Sequence, residues 1–371
     1  MSRKLRIAYL AHSLRSDWNN GNAHFLRGLL RAMSRVGHDV VVFEAAHEWS
    51  LDNLRMEMGG EESLAQFGTT YADLHVALYD APDGGGAAFW RSALNGVDVV
   101  ILHEWNPPAL AHVLLHLRES ARFKLLFHDT HHRASSSPAQ IGLFGTDRFD
   151  GVIAFGEALR SIYRERFGME RVWTLHEAAD TTVFVPHPGR EKKQDVVWIG
   201  NWGDDERSRE IREFLLCPAT HMRDRKFAIY GVRYPEPALA ALEEAGVAYG
   251  GYLPNLEAPR AYAGSRLTVH IPRQQYAQAM HGIPTIRVFE ALACGIPLIS
   301  APWSDSEKLF GEGDFLVAGN GIEMQKHMEL LLCDSAAAEA QARRGLETVL
   351  ARHTCAHRAE ELTAICEEVL R

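Results

Sequence analysis

Three imidazoles and a carboxylate crowd the run His128-Asp129-Thr130-His131-His132, with Arg133 next in line. Such a cluster can move protons: Asp129 and His131 are candidate general bases that would take the proton of an attacking hydroxyl. It can also hold a metal ion, although the spacing is neither H-E-x-x-H nor a recognised zinc array, so no metal site is assigned. A third reading is structural, in which these side chains cap the next helix and fix the loop.

A second stretch, running from His281 to Ser300, carries different chemistry. A glycine-containing loop opens a short helix, Gly295 and Pro297 end it, and an apolar strand follows. The N-terminus of a helix presents unpaired N–H groups and the positive end of the helix dipole, which suits a diphosphate. Glu290, about two turns into that helix, can accept two hydrogen bonds from the vicinal hydroxyls of a ribose. Arg287, one turn earlier, can pair with a phosphate or with Glu290 itself. A plain solvated Arg/Glu pair is the alternative.

The elements around these stretches alternate. Ile7–Leu10, Val40–Phe43, Val97–Leu102, Leu125–Phe127 and Val152–Phe155 read as buried strands, each followed by loop or helix, and Asn22–Val36 shows a helical apolar period ending near Gly37. This pattern predicts a parallel sheet covered on both faces. A second series runs through Val196–Ile199, Phe227–Tyr230, Leu267–Ile271, Pro297–Ile299 and Phe315–Val317. Two α/β domains of the Rossmann type are therefore expected, residues 1–178 and 195–340, joined by a proline-containing linker over 179–194. Residues 341–371 read as helices that return toward the first domain.

Open α/β sheets bind ligands at the carboxyl ends of their strands, so strand-end residues are further candidates. His12, Asn22 and His24 follow the first strand, with Asn22 also placed to cap a helix. Glu104 and Trp105 end another strand on the same edge, and Trp105 can stack on a ring or belong to the core. His176 and Glu177 fall at the domain border. In the second half, the glycines of the loop Gly200-Asn201-Trp202-Gly203 leave room for a ligand to approach the backbone. Arg207 and Arg209 read as a charged solvent face.

Glu290-Ala-Leu-Ala-Cys-Gly-Ile-Pro297 resembles the end of the nucleotide-sugar-binding motif of GT-B glycosyltransferases. In the large GT4-like families an earlier Glu lies eight positions upstream, where this chain has Gly282. His270-Ile-Pro-Arg273 together with Arg287-Val-Phe-Glu290 looks more like the CgeB-type group. Asp180-x-x-x-Phe184-x-Pro186 is similar to the interdomain segment of these enzymes. The resemblance implies two facing Rossmann-like domains, with donor contacts at Gly200, Asn201, Trp202, Tyr252, Arg273, Arg287 and Glu290. It implies an acceptor, of unidentified nature, on the first domain at His12, Asn22, His24, Glu104 and Trp105. The nucleotide-sugar would be a co-substrate, and no cofactor is expected. No Asp-x-Asp occurs, so helix N-termini, Arg273 and Arg287 would steady the leaving diphosphate without a metal.

Composition removes several other classes. A formal charge of −9 over 371 residues argues against a nucleic-acid partner. The five cysteines are widely spaced and contain no CxxC pair, against a disulfide framework or a zinc finger. No run of about 18 apolar residues is present, so a cytoplasmic location is expected, with peripheral membrane contact through an amphipathic helix left open. Remaining rivals are a nucleotide-sugar epimerase or hydrolase of the same fold, a metal-dependent hydrolase using His128 to His132, and a catalytically silent binding protein.

Overall fold

The computed structural model describes residues 3–80, 86–203 and 207–371. The chain divides into two units, Met1–Glu177 with Cys355–Arg371, and Ala178–Thr354. The stretch read as a linker thus belongs to the second unit. The helix Ser335–Arg352 stays there too, and only the final helix, Cys355–Val369, returns to the first.

The first unit holds β1 (Arg6–Leu10), β2 (Asp39–Ala45), β3 (His75–Tyr79), β4 (Val99–His103), β5 (Lys124–Asp129), β6 (Gly151–Ala154) and β7 (Val172–Thr174). They form one seven-stranded sheet in the order β3-β2-β1-β4-β5-β6-β7, parallel throughout. The order reverses between β1 and β4. The helix Ala23–Arg35 buries Phe25, Leu26, Leu29, Leu30 and Met33 and stops before Gly37, whose φ of +103° suits only glycine. The final helix packs on it through Cys355, whose thiol donates to the Phe25 carbonyl, and through Thr363, 3.0 Å from the His38 ring.

The second unit repeats the plan with β8 (Gln194–Ile199), β9 (Phe227–Tyr230), β10 (Val247–Tyr249), β11 (Ser265–His270), β12 (Leu298–Ser300) and β13 (Leu316–Val317). Its order is β10-β9-β8-β11-β12-β13, again all parallel, with the reversal between β8 and β11. Val196, Trp198, Leu267 and Val269 from the two central strands pack with Trp202, Phe214, Met324 and Met328 in its core. Both units therefore place a switch point at the carboxyl edge of a sheet, where a crevice forms between loops that leave in opposite directions.

Candidate functional site

At the first switch point Asn106 closes the gap. Its buried side-chain amide donates to the carbonyls of Leu10 and His103, at 2.8 and 2.9 Å, tying the ends of β1 and β4 together. The loop between β1 and its helix is equally fixed. Buried Glu44 accepts from the N–H groups of Leu14 and Arg15 and from the Arg15 side chain, while buried Arg27 donates to the Leu14 and Arg15 carbonyls and pairs with Asp17.

The cluster after β5 divides into buried and accessible groups. Asp129 is fully buried; one carboxylate oxygen accepts from the His131 N–H at 2.9 Å and the other from the Tyr163 hydroxyl at 2.6 Å. Burial pushes its carboxyl up to about 6, against the lowering pull of those two donors and of Arg133. Asp129 therefore shapes the loop and presents no face to a substrate, contrary to the expectation of an open base. His128 is also buried, 2.8 Å from the Tyr9 hydroxyl, and burial lowers its ring to about 3, so it is neutral.

His131 is half-buried, with its ring 4.9 Å from that of Trp105 in an edge-on arrangement. Trp105 is exposed, which settles it as surface rather than core, and the Arg133 guanidinium lies 4.0 Å over its ring. Arg133 in turn pairs with Glu104, which is fully buried and so braces Arg133 instead of meeting an acceptor. His24 is likewise fully buried, and Asn22 spends its amide on Thr130 at 3.1 Å rather than capping its helix. His12, half-buried and 6.4 Å from Trp105, has its ring lowered to about 4 by burial and Arg133. The groups that combine chemistry with access in this unit are thus His12, Trp105, His131 and Arg133. Among the described residues no group of three or more His, Cys, Asp or Glu side chains is arranged to hold a metal ion.

The second switch point carries a cation where the first carries an amide. Arg207, read from the sequence as a solvent-facing charge, is buried: it donates to the carbonyls of Asn201 and Ile271, and its guanidinium lies 5.2 Å from the Trp198 ring centre. It joins the loops that follow β8 and β11. Arg209 is exposed as expected. The signal that separates them is position, since Arg207 ends the glycine-containing loop and directly precedes the helix Ser208–Ile211.

His270, the last residue of β11, fixes the neighbouring helix. Ser300 Oγ donates to the Ala301 carbonyl, so it accepts from His270 Nδ1 at 2.9 Å. Nε2 then carries the lone pair and accepts from the Thr285 hydroxyl at 3.0 Å. Burial, with Arg207 adding to it, lowers this ring to about 3 and keeps it neutral. Thr285 is the N-cap of the helix Ile286–Ala293, and no side-chain cap bond closes that N-terminus. The helix start is therefore held at the carboxyl edge of β11 without a side-chain cap.

Arg287 and Glu290 lie on that helix and pair at 2.5 Å, Arg287 on the outside and Glu290 fully buried beneath it. Tyr262 keeps its proton because of burial and the nearby Glu290 charge. Arg273 is half-buried on the segment after β11. Gly200 and Asn201 line the loop after β8: the Tyr234 hydroxyl donates to the Gly200 carbonyl at 2.7 Å, and Asn201 Oδ1 accepts from the Val232 N–H at 2.9 Å. Gly231 must be glycine, as a Cβ there would meet the Gly200 carbonyl oxygen at 2.2 Å. Tyr252 is half-buried in the segment after β10. Trp202 departs from expectation: it is a core residue, packed among Trp198, Phe214 and Leu215.

Residues 207–364 match the family described as glycosyl transferase-like. No curated protein matches the sequence. Among solved structures, Anabaena HepE in complex with UDP-glucose aligns over 98% of this chain and 100% of its own, at 12% identity and a TM-score of 0.72. Sucrose-phosphate synthase from Thermosynechococcus elongatus aligns over 98% and 99%, at 15% identity and a TM-score of 0.67. A variant of S. aureus TarM aligns over 99% and 100%, at 9% identity and a TM-score of 0.71. No helix among the described residues is long and apolar enough to cross a membrane. The chain has the two-sheet α/β fold of GT-B glycosyltransferases, and its residues 207–364 resemble the glycosyl transferase-like family.

Proposed function

We propose that this chain transfers a glycosyl group from a nucleotide-sugar to an acceptor hydroxyl, without a metal ion, and that the second unit holds the donor. The observation that carries the reading is the second switch point, where buried Arg207 and the uncapped start of Ile286–Ala293 bring positive charge to one sheet edge. Arg273 and Arg287 add to it. Arg287 covers Glu290 from outside, so its turning to the diphosphate uncovers a carboxylate for the ribose hydroxyls. Tyr252 and the backbone at Gly200 and Asn201 complete the donor contacts. HepE and TarM are described with UDP or UDP-glucose bound, which makes UDP-sugars the first donors to try.

On the first unit, His131 acts as the general base, with His12, Trp105 and Arg133 contacting the acceptor and Asp129 holding the loop that carries His131. An imidazole nitrogen with access to the acceptor can take a hydroxyl proton as the glycosyl bond forms. The CgeB-type assignment rests on Arg273 and Arg287 standing in the pattern of that group. The test is a thermal-shift screen against UDP-, GDP-, dTDP- and CDP-sugars, followed by detection of released nucleoside diphosphate with and without candidate acceptors. Binding of one donor series with acceptor-dependent release supports transfer. Release independent of acceptor favours the hydrolase reading, and no stabilisation by any of them removes the donor site.

A further inference from the structure

The loop that opens the Ile286–Ala293 helix is braced from the other side by the β12–β13 connection. The Gly282 N–H donates to the Ser304 carbonyl at 2.8 Å, and the Trp303 indole donates to the Ile283 carbonyl at 3.0 Å. The connection is itself a built turn: the Asp305 carboxylate accepts from the N–H groups of Leu309 and Phe310, both at 2.9 Å, and Lys308 takes a φ of +54°. Glu307 stands on that turn, half-buried.

Gly282 is where the two segments touch. Its φ is +89°, and a Cβ added there would lie 2.6 Å from Glu307 Cγ, 2.7 Å from Glu307 Oε1 and 2.7 Å from Ser306 Oγ. The volume that a side chain at 282 would fill is therefore occupied by the carboxylate of residue 307. The glycine is required twice over, by its backbone and by this approach.

We infer that Glu307 is a positioning and specificity residue for the sugar half of the donor, its carboxylate accepting hydrogen bonds from the hydroxyls of the transferred glycosyl group. The inference rests on the donor reading above. With the diphosphate at the start of Ile286–Ala293 and the ribose toward Glu290, the sugar leaves on the side of the loop that precedes the helix. That loop is the one Glu307 lies against. A carboxylate is acceptor-only when ionised and can take both hydroxyls of a vicinal pair, which distinguishes a sugar from a bare phosphate, whose oxygens it repels.

The test compares binding of paired ligands to the full chain by titration calorimetry: UDP against UDP-glucose, GDP against GDP-mannose, dTDP against dTDP-glucose, CDP against CDP-glucose. For whichever pair wild type binds, Glu307→Gln should keep nucleoside diphosphate affinity within about twofold and lose about tenfold for the sugar-bearing ligand, with Glu307→Ala losing more. Unchanged affinity for both ligands overturns the assignment while leaving the donor site intact. An equal loss of both also overturns it, since Glu307 then only braces the loop. Binding of no nucleotide by wild type removes the donor reading and this one together.

Discussion

The two carboxyl edges share a strand order and differ in what stands at the reversal. In the first sheet a neutral amide, Asn106, spans the strand ends; in the second a guanidinium, Arg207, spans the corresponding loops. Around Asn106 the loops carry imidazoles, carboxylates and the exposed Trp105. Around Arg207 they carry glycines, a helix N-terminus and further arginines. The same topology thus yields one edge suited to proton transfer and one suited to anion binding, and the function follows from the side chains at the crevice rather than from the fold.

The largest effect expected from this contrast is on turnover. His131→Ala should lower kcat by about 10²–10⁴-fold with donor affinity nearly unchanged, as steady-state kinetics and titration would show; equal loss of both would make the residue structural. Arg207→Ala should act on the other quantity, weakening nucleoside diphosphate binding by about 10–100-fold. Asn106→Ala, its counterpart, should cost about 1–3 kcal/mol of folding stability and leave nucleotide affinity alone. Glu290→Ala should weaken nucleotide-sugar binding by about 1.5–3 kcal/mol, read by calorimetry, in a chain that still folds.

A smaller effect concerns pH. Burial sets the folded Asp129 carboxyl at about 6, above its unfolded value of about 3.9. Between those values the native state binds the extra proton, so stability from this group falls as pH rises from about 4 to about 6. Asp129→Asn removes that dependence, and denaturant unfolding at the two pH values should show it gaining about 2 kcal/mol relative to wild type over the window. Smallest of all, excess chelator should leave the transfer rate unchanged; loss restored by Zn²⁺ or Mn²⁺ would move the chemistry to the His128 to His132 run.

Much of the fold was legible because central parallel strands are buried on both faces and read as apolar runs. The three that the pattern missed, β3, β7 and β10, lie at sheet edges and are each partly exposed, so they lack the two-sided burial of the central strands. The glycine-bounded helix carrying Glu290 was legible from its punctuation. Burial of individual polar groups was not, because it depends on tertiary partners distant in sequence. Asp129 is claimed by Tyr163, Glu104 by Arg133, and Arg207 by carbonyls on either side of the switch point. The core place of Trp202, which the resemblance makes a donor contact, depends in the same way on Phe214 and Trp198.

Hydrogen–deuterium exchange of the full chain, with and without the nucleoside diphosphate that stabilises it most, tests the central division of labour. Protection concentrated at 200–203, 207–211, 271–274 and 282–290, with 128–133 unchanged, is the predicted result. Protection centred on 128–133, with the Arg207 and Thr285 segments unaffected, would contradict it.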